Sequence, residues 1–183
     1  MTSPADRERL LELAHAALNA YVRGEKAPTP DPDLVVGGSG AFVSVFAEHR
    51  LRGCLGTLDA AANLAPALVR LAQDVAHLDY RFPPIVADEL PGLSIELSIL
   101  TSPEIVKEPA SIEIGRDGLI VEQGRQRGLL LPQVAPDHGW DRETFLAQTC
   151  VKAGLQSDAW QRGATIWRFS ADVFGEPVVK PAQ

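Results

Sequence analysis

Arg50-Leu51-Arg52-Gly53-Cys54-Leu55-Gly56-Thr57 follows the apolar run Ala41-Phe42-Val43-Ser44-Val45-Phe46-Ala47 after only Glu48 and His49. The run from Ala41 is apolar on both faces, the pattern of a central strand. Two intervening residues are enough to close a hairpin, so 50–57 reads as its partner strand. After Thr57 the period changes. Leu64, Leu68, Leu71, Val75 and Leu78 step by four and three, which predicts an amphipathic helix with Asp59 as N-cap. Pro66 fits that helix only in its first turn or at a kink.

Strand alternation would place Arg50, Arg52 and Cys54 on one face of 50–57, with Leu51, Gly53 and Leu55 on the core face. Guanidinium groups beside a thiol favour thiolate, the reactive form. A helix N-terminus a few residues later would add to that if the loop folded back. Gly53 and Gly56 lack a Cβ and allow a ligand or another backbone to approach closely. Against this stands the plainer reading, in which a Gly-Cys pair fills a tight spot in the interior.

The remaining segments follow from local signals. Ser3, Pro4 and Asp6 open a first helix whose Leu10, Leu13, Ala14, Ala17, Leu18 and Tyr21 share a face, and Gly24 ends it. Residues 27–32 are proline-rich and extended. Gly37-Gly38-Ser39-Gly40 leads into a strand and lacks a following GK[ST], so it reads as a turn and not a phosphate cradle. Asp79-Tyr80-Arg81-Phe82-Pro83-Pro84 ends the second helix. Phe82 is expected in the core, and Arg81 either pairs with Asp79 at the surface or anchors an anion in a cleft. Leu93–Ile99 alternates as a strand, 112–114 and 119–122 read as a hairpin, and a second basic turn at 124–128 precedes Leu129–Leu131. Pro132 and Pro136 are expected to hold 131–136 extended and to present the Gln133 amide. Asp141 caps a helix burying Phe145, Leu146, Thr149 and Cys150, with Gly154 past its end. Thr165–Phe169 is a last strand, and the end after Gly175 is expected to fray.

Strands and helices mixed without βαβ regularity give an α+β fold of largely antiparallel sheet with flanking helices. The chain of 183 residues suits one domain, and 45% hydrophobic with 22% charged residues is ordinary globular usage. A net charge of -7 argues against nonspecific nucleic-acid binding. Cys54 and Cys150 lie far apart with no CxxC or Cys/His cluster, so no metal, cofactor or thioredoxin-like site is expected. The N-terminal residues do not form a signal peptide and no apolar run spans a bilayer, so a cytoplasmic location is expected.

Leu51-Arg52-Gly53-Cys54-Leu55-Gly56-Thr57 resembles the hallmark of the AMMECR-type domain family (AmmeMemoRadiSam system protein A), which usually has isoleucine where Leu55 stands. The resemblance extends to 79–84, 93–100, 128–135 and 152–155, in order. It implies a compact two-lobed α+β fold with the hallmark near a cleft between the lobes, and a biochemical function not established. It also implies association with Memo-like and radical S-adenosylmethionine proteins. Two expectations follow. One is a module binding a small molecule or protein partner through Arg52, Gly53, Cys54, Gly56, Thr57, Arg81 and Gln133. The other is an enzyme with Cys54 as nucleophile, assisted by Arg52 and by His77 or Asp79 as base.

Overall fold

A computed structural model describes residues 2–176. The chain forms two compact units: one from the described residues up to Ile99 together with those from Asp172, the other from Leu100–Ala171. From residue 177 on, the frayed end expected after Gly175 lies outside the described residues.

The first unit begins with helix α1 (Pro4–Arg23). The Ser3 side chain accepts a hydrogen bond from the Asp6 N–H, and Gly24 (φ 69°) closes the helix in the left-handed conformation. Leu10, Ala14, Ala17 and Leu18 form its buried stripe. Helix α2 (Ala65–Asp74) packs on α1 and on the sheet beneath. It starts later than its periodicity suggested. Asn63 Oδ1, not Asp59, accepts from Ala65 N, while Asp59 is tied into a turn with Thr57. Pro66 falls in the first turn, where its missing N–H costs nothing. The helical pattern overran at the other end too: the helix closes at Val75, and Leu78 is exposed.

The sheet of this unit has the order β2-β1-β3-β8, with β1 Gly40–Ala47, β2 Arg50–Thr57, β3 Leu93–Leu100 and β8 Ala171–Gly175. β8 was not legible as a strand. β1 and β2 form the expected antiparallel hairpin, with Ala47 opposite Arg50. Glu48 (φ 48°) and His49 (φ 66°) both adopt left-handed backbone, the two-residue turn whose twist matches the strands. Phe46 then faces Leu51 while Val45 faces Gly53, so Arg52 is the extra residue of a β-bulge. The bulge breaks the alternation assumed for this strand. Leu51 shares the outer face of Phe46, Ser44 and Cys54 and is 39% exposed, so the expected Arg50/Arg52/Cys54 face is not formed. Only Leu55 of that strand's leucines packs against the core of Ala41, Val43, Val45, Leu68, Ile95 and Leu97.

The second unit holds the sheet β4-β7-β5-β6, with β4 Glu104–Ile105, β5 Gly118–Gln123, β6 Gln126–Leu130 and β7 Thr165–Phe169. β4 pairs with β7, β7 with β5 and β5 with β6, each antiparallel. The hairpin is β5–β6, turning at Gly124 (φ 63°), and not the expected pairing of 112–114 with 119–122. Residues 112–117 instead wrap around Asp117, whose carboxylate accepts from Glu113 N and from the Arg116 guanidinium, while Ile112 plugs the core. Burial opposes ionisation of Asp117, but these donors hold its carboxyl below the usual range. The segment expected to be extended across Pro132 and Pro136 contains a short helix, α3 (Val134–His138). Pro136 sits in its first turn, where a proline needs no N–H partner. Helix α4 (Arg142–Lys152) is capped by Asp141 and buries Phe145, Leu146, Thr149 and Cys150, as its spacing indicates.

Candidate functional site

β2 is an edge strand, and Cys54 is opposite Ser44 near its middle. The Cys54 side chain is half-buried on the outer face of the hairpin, where the Ser44 hydroxyl donates to its sulfur at 3.2 Å. Its backbone faces a different neighbour. Cys54 N donates to Asp79 Oδ2 at 2.9 Å, and Cys54 O accepts from Arg81 Nη2 at 3.4 Å.

Asp79 is the centre of this arrangement. It is only 4% exposed, and its two carboxylate oxygens accept from Arg81 Nε (2.8 Å), Arg81 Nη2 (2.7 Å), Arg81 N (3.3 Å) and Cys54 N. The fork-on-fork pairing with Arg81, opposed by burial and helped by the two backbone N–H groups, holds the Asp79 carboxyl far below the usual carboxylate range. The Asp79–Arg81 pair, read from sequence as a surface contact of little weight, is therefore a buried carboxylate with a half-exposed arginine. An acid two residues before an arginine at a helix exit was the available signal. What sequence could not show is the strand that arrives to be bonded.

A second clamp lies alongside. Arg52, the bulged residue, donates through Nε and Nη2 to both oxygens of Glu89 at 2.7 and 2.9 Å, and to Pro83 O and Pro84 O at 2.8 and 3.2 Å. This bonding with Arg52 lowers the Glu89 carboxyl. Glu89, which the sequence reading passed over, thus completes the anchoring of 79–89 onto β2. Both arginines are engaged in bracing the loop, and among the described residues neither guanidinium is hydrogen-bonded to the thiol.

The hallmark glycines are occupied by the chain itself. A Cβ at Gly53 would lie 2.9 Å from Val75 Cγ2 and 3.3 Å from the Val75 carbonyl, and one at Gly56 would overlap the Phe42 ring. Val75 closes α2, so the helix end beside Cys54 is the C-terminal one. The expected help from a helix N-terminus is absent, because α2 starts eleven residues after Cys54 and runs back toward it; the negative end of its dipole is nearest. Thr57 is half-buried and bonded locally to Asp59. His77 stacks on Tyr21 at 4.5 Å and its Nδ1 lies 3.2 Å from Gln73 O, so it does not join Asp79. Phe82, expected in the core, is half-buried with the Arg81 guanidinium over its ring at 5.4 Å, and Ile85 takes the core position. Gln133 belongs to the other unit, where it is exposed at the start of α3. Cys150 is sealed in that unit's core, and burial pushes its thiol up.

Among the described residues no group of three or more His, Cys, Asp or Glu is placed to hold a metal ion, and no helix is long and apolar enough to cross a membrane.

The AMMECR1 family model matches residues 11–174, most of the chain and all of the site just described. The chain belongs to the AMMECR1 family. Similar members include a protein of Methanothermobacter thermautotrophicus, 41% identical over 177 residues, covering 91% of this chain and 92% of its own. A protein of Thermococcus kodakarensis is 42% identical over 183 residues, with 92% and 89% covered. The crystal structure of an uncharacterised protein from Pyrococcus horikoshii superimposes with a TM-score of 0.83 at 38% identity, covering 95% of this chain and 93% of that one. The α+β architecture is thus shared with an AMMECR1-type relative of known structure.

Proposed function

We propose that this AMMECR1-family chain is a binding module for a small molecule or protein partner, recognised by the segment Leu78–Phe82 braced against β2. The observation that supports the reading is the contrast inside that segment: Asp79 is 4% exposed and Tyr80, its neighbour, 96%. A buried, fully bonded carboxylate fixes the backbone while the next side chain stands in solvent. An aromatic ring on a pre-ordered backbone loses little conformational freedom on binding, and tyrosine is a favoured anchor at interfaces. Arg81, half-exposed beside it, offers the remaining donors of its guanidinium. Arg52, bonded to the carbonyls of Pro83 and Pro84, and Gly53, packed on Val75, hold the segment against the strand, and Thr57 stands as an outlying polar group.

The alternative, Cys54 as nucleophile, has no observation in its favour. A nucleophile needs a base within hydrogen-bond reach. Cys54 Sγ has the Ser44 hydroxyl, His77 is stacked elsewhere, and Asp79 is committed to Arg81.

The test is a thermal-shift and co-purification screen with metabolites and with the Memo-like and radical S-adenosylmethionine proteins that the family resemblance suggests. Tyr80→Ala should alter stability by no more than about 0.5 kcal/mol, as an exposed surface change does, yet abolish the shift or the co-purification seen with the unaltered protein. Binding by Tyr80→Ala equal to the unaltered protein's, or no binder at all, counts against the module.

A further inference from the structure

An edge strand exposes a row of unpaired N–H and C=O groups to which another strand can pair, and proteins cover or blunt such edges. β2 is the edge of its sheet. At Cys54 the outward N–H and C=O are both taken, by Asp79 Oδ2 and Arg81 Nη2. One acceptor for the N–H and one donor for the C=O is the pair of bonds that an antiparallel neighbour would supply.

We propose that Asp79 and Arg81 are an edge guard: they occupy the backbone groups through which β2 would otherwise pair with β2 of a second copy of this chain. Three features converge on this stretch. The bulge at Arg52 twists the strand and interrupts its ladder. Arg52 then fastens Pro83 and Pro84 alongside, residues with no N–H to offer a strand. The charge pair closes the next position. A second copy is the occupant argued for because an antiparallel pair of identical strands is self-complementary about a two-fold axis. Setting Cys54 opposite Cys54 of the other copy across that axis satisfies both of its groups at once, and this is the register proposed. The guard holds because Asp79 is buried and held in place by Arg81, so releasing Cys54 would leave a desolvated carboxylate oxygen short of one of its donors. The inference stands whether or not Tyr80 meets a partner.

The experiment compares the full chain with the double variant Asp79→Ala/Arg81→Ala by sedimentation velocity over a wide concentration range. It adds cross-linking by a short bis-maleimide. Removing both charges together avoids stranding either one. The unaltered protein should sediment as a monomer and give no cross-link. The double variant should keep its circular dichroism spectrum, double in mass as concentration rises, and cross-link through Cys54, with the link lost on Cys54→Ser. Cys150, sealed in the core, does not compete. If the double variant loses its fold, Asp79→Asn/Arg81→Ala keeps an acceptor for Cys54 N–H and frees the carbonyl alone; it should dimerise more weakly through the same link. A folded variant that stays monomeric, or one that dimerises without a Cys54 cross-link, overturns the guard.

Discussion

In each unit a glycine on an edge strand receives the C-terminal end of a helix: Gly53 of β2 faces Val75, which closes α2, and Gly128 of β6 faces Ala153, which closes α4. The two regions part after that contact. Beyond α4 the chain turns at Gly154 (φ 76°), whose carbonyl accepts from Gln126 Nε2 at 2.6 Å. Beyond α2 it delivers a buried carboxylate to the strand and sets an arginine over it. Close packing of a helix end on a strand therefore needs a glycine and an uncharged hydrogen bond. The charge at Cys54 is not required by packing, and its work is to hold the strand's outer backbone and the loop that bears Tyr80.

The largest effect should come from the tighter of the two glycine contacts. A Cβ at Gly128 would lie 2.3 Å from Ala153 N and 2.6 Å from its Cα, backbone atoms that no rotamer change can move. Gly128→Ala should cost about 3 kcal/mol, whereas Gly53→Ala, meeting mainly the end of the Val75 side chain, should cost about 1 kcal/mol. Denaturant unfolding of the two variants checks the order, and equal losses would break the comparison.

Next comes the charge pair. Arg81→Ala strands a buried carboxylate and should cost about 3 kcal/mol, at the low end for a broken buried pair because two backbone N–H donors remain. Asp79→Ala leaves Arg81 free to reach water and should cost about 2 kcal/mol, the worth of hydrogen bonds to a charged group. The double alanine variant should lose less than the sum. Additive losses would show that the two side chains do not act as a unit.

The smallest effect is on the acid side. Asp79 has a lower carboxyl pKa folded than unfolded, so its contribution is complete above about pH 4 and is lost as pH falls toward the folded value. Asp79→Asn removes that dependence, and its stability should fall less steeply with acid than the unaltered protein's. Acid titrations followed by circular dichroism decide it; parallel curves would contradict the assignment.

How much of this was legible depended on whether a local signal was enough. The hairpin at Glu48-His49, the caps at Ser3 and Asp141, the stripe through Phe145 and Cys150, and the α+β class all follow from short-range chemistry, and the fold shows them. The bulge at Arg52 did not, because one extra residue leaves no trace in composition yet moves Leu51 to the outer face. Residues 112–114 alternate like a strand, but Asp117 supplies an alternative bonding pattern that side-chain periodicity does not register. At the site, the hallmark run was visible and its arginines and glycines stood out. Their partners, Asp79, Glu89, Val75 and Phe42, come from distant positions, so the features that suggested room for a ligand turned out to be contacts within the chain.

The most direct test of the account is amide hydrogen exchange at Cys54, residue by residue, in the unaltered protein and in Asp79→Ala. Bonding to a buried carboxylate predicts a slowly exchanging Cys54 N–H despite its place on a sheet edge, with Asp79→Ala accelerating it by more than the loss of global stability explains. A Cys54 amide that exchanges as fast as an open edge, or that is indifferent to Asp79, would contradict it.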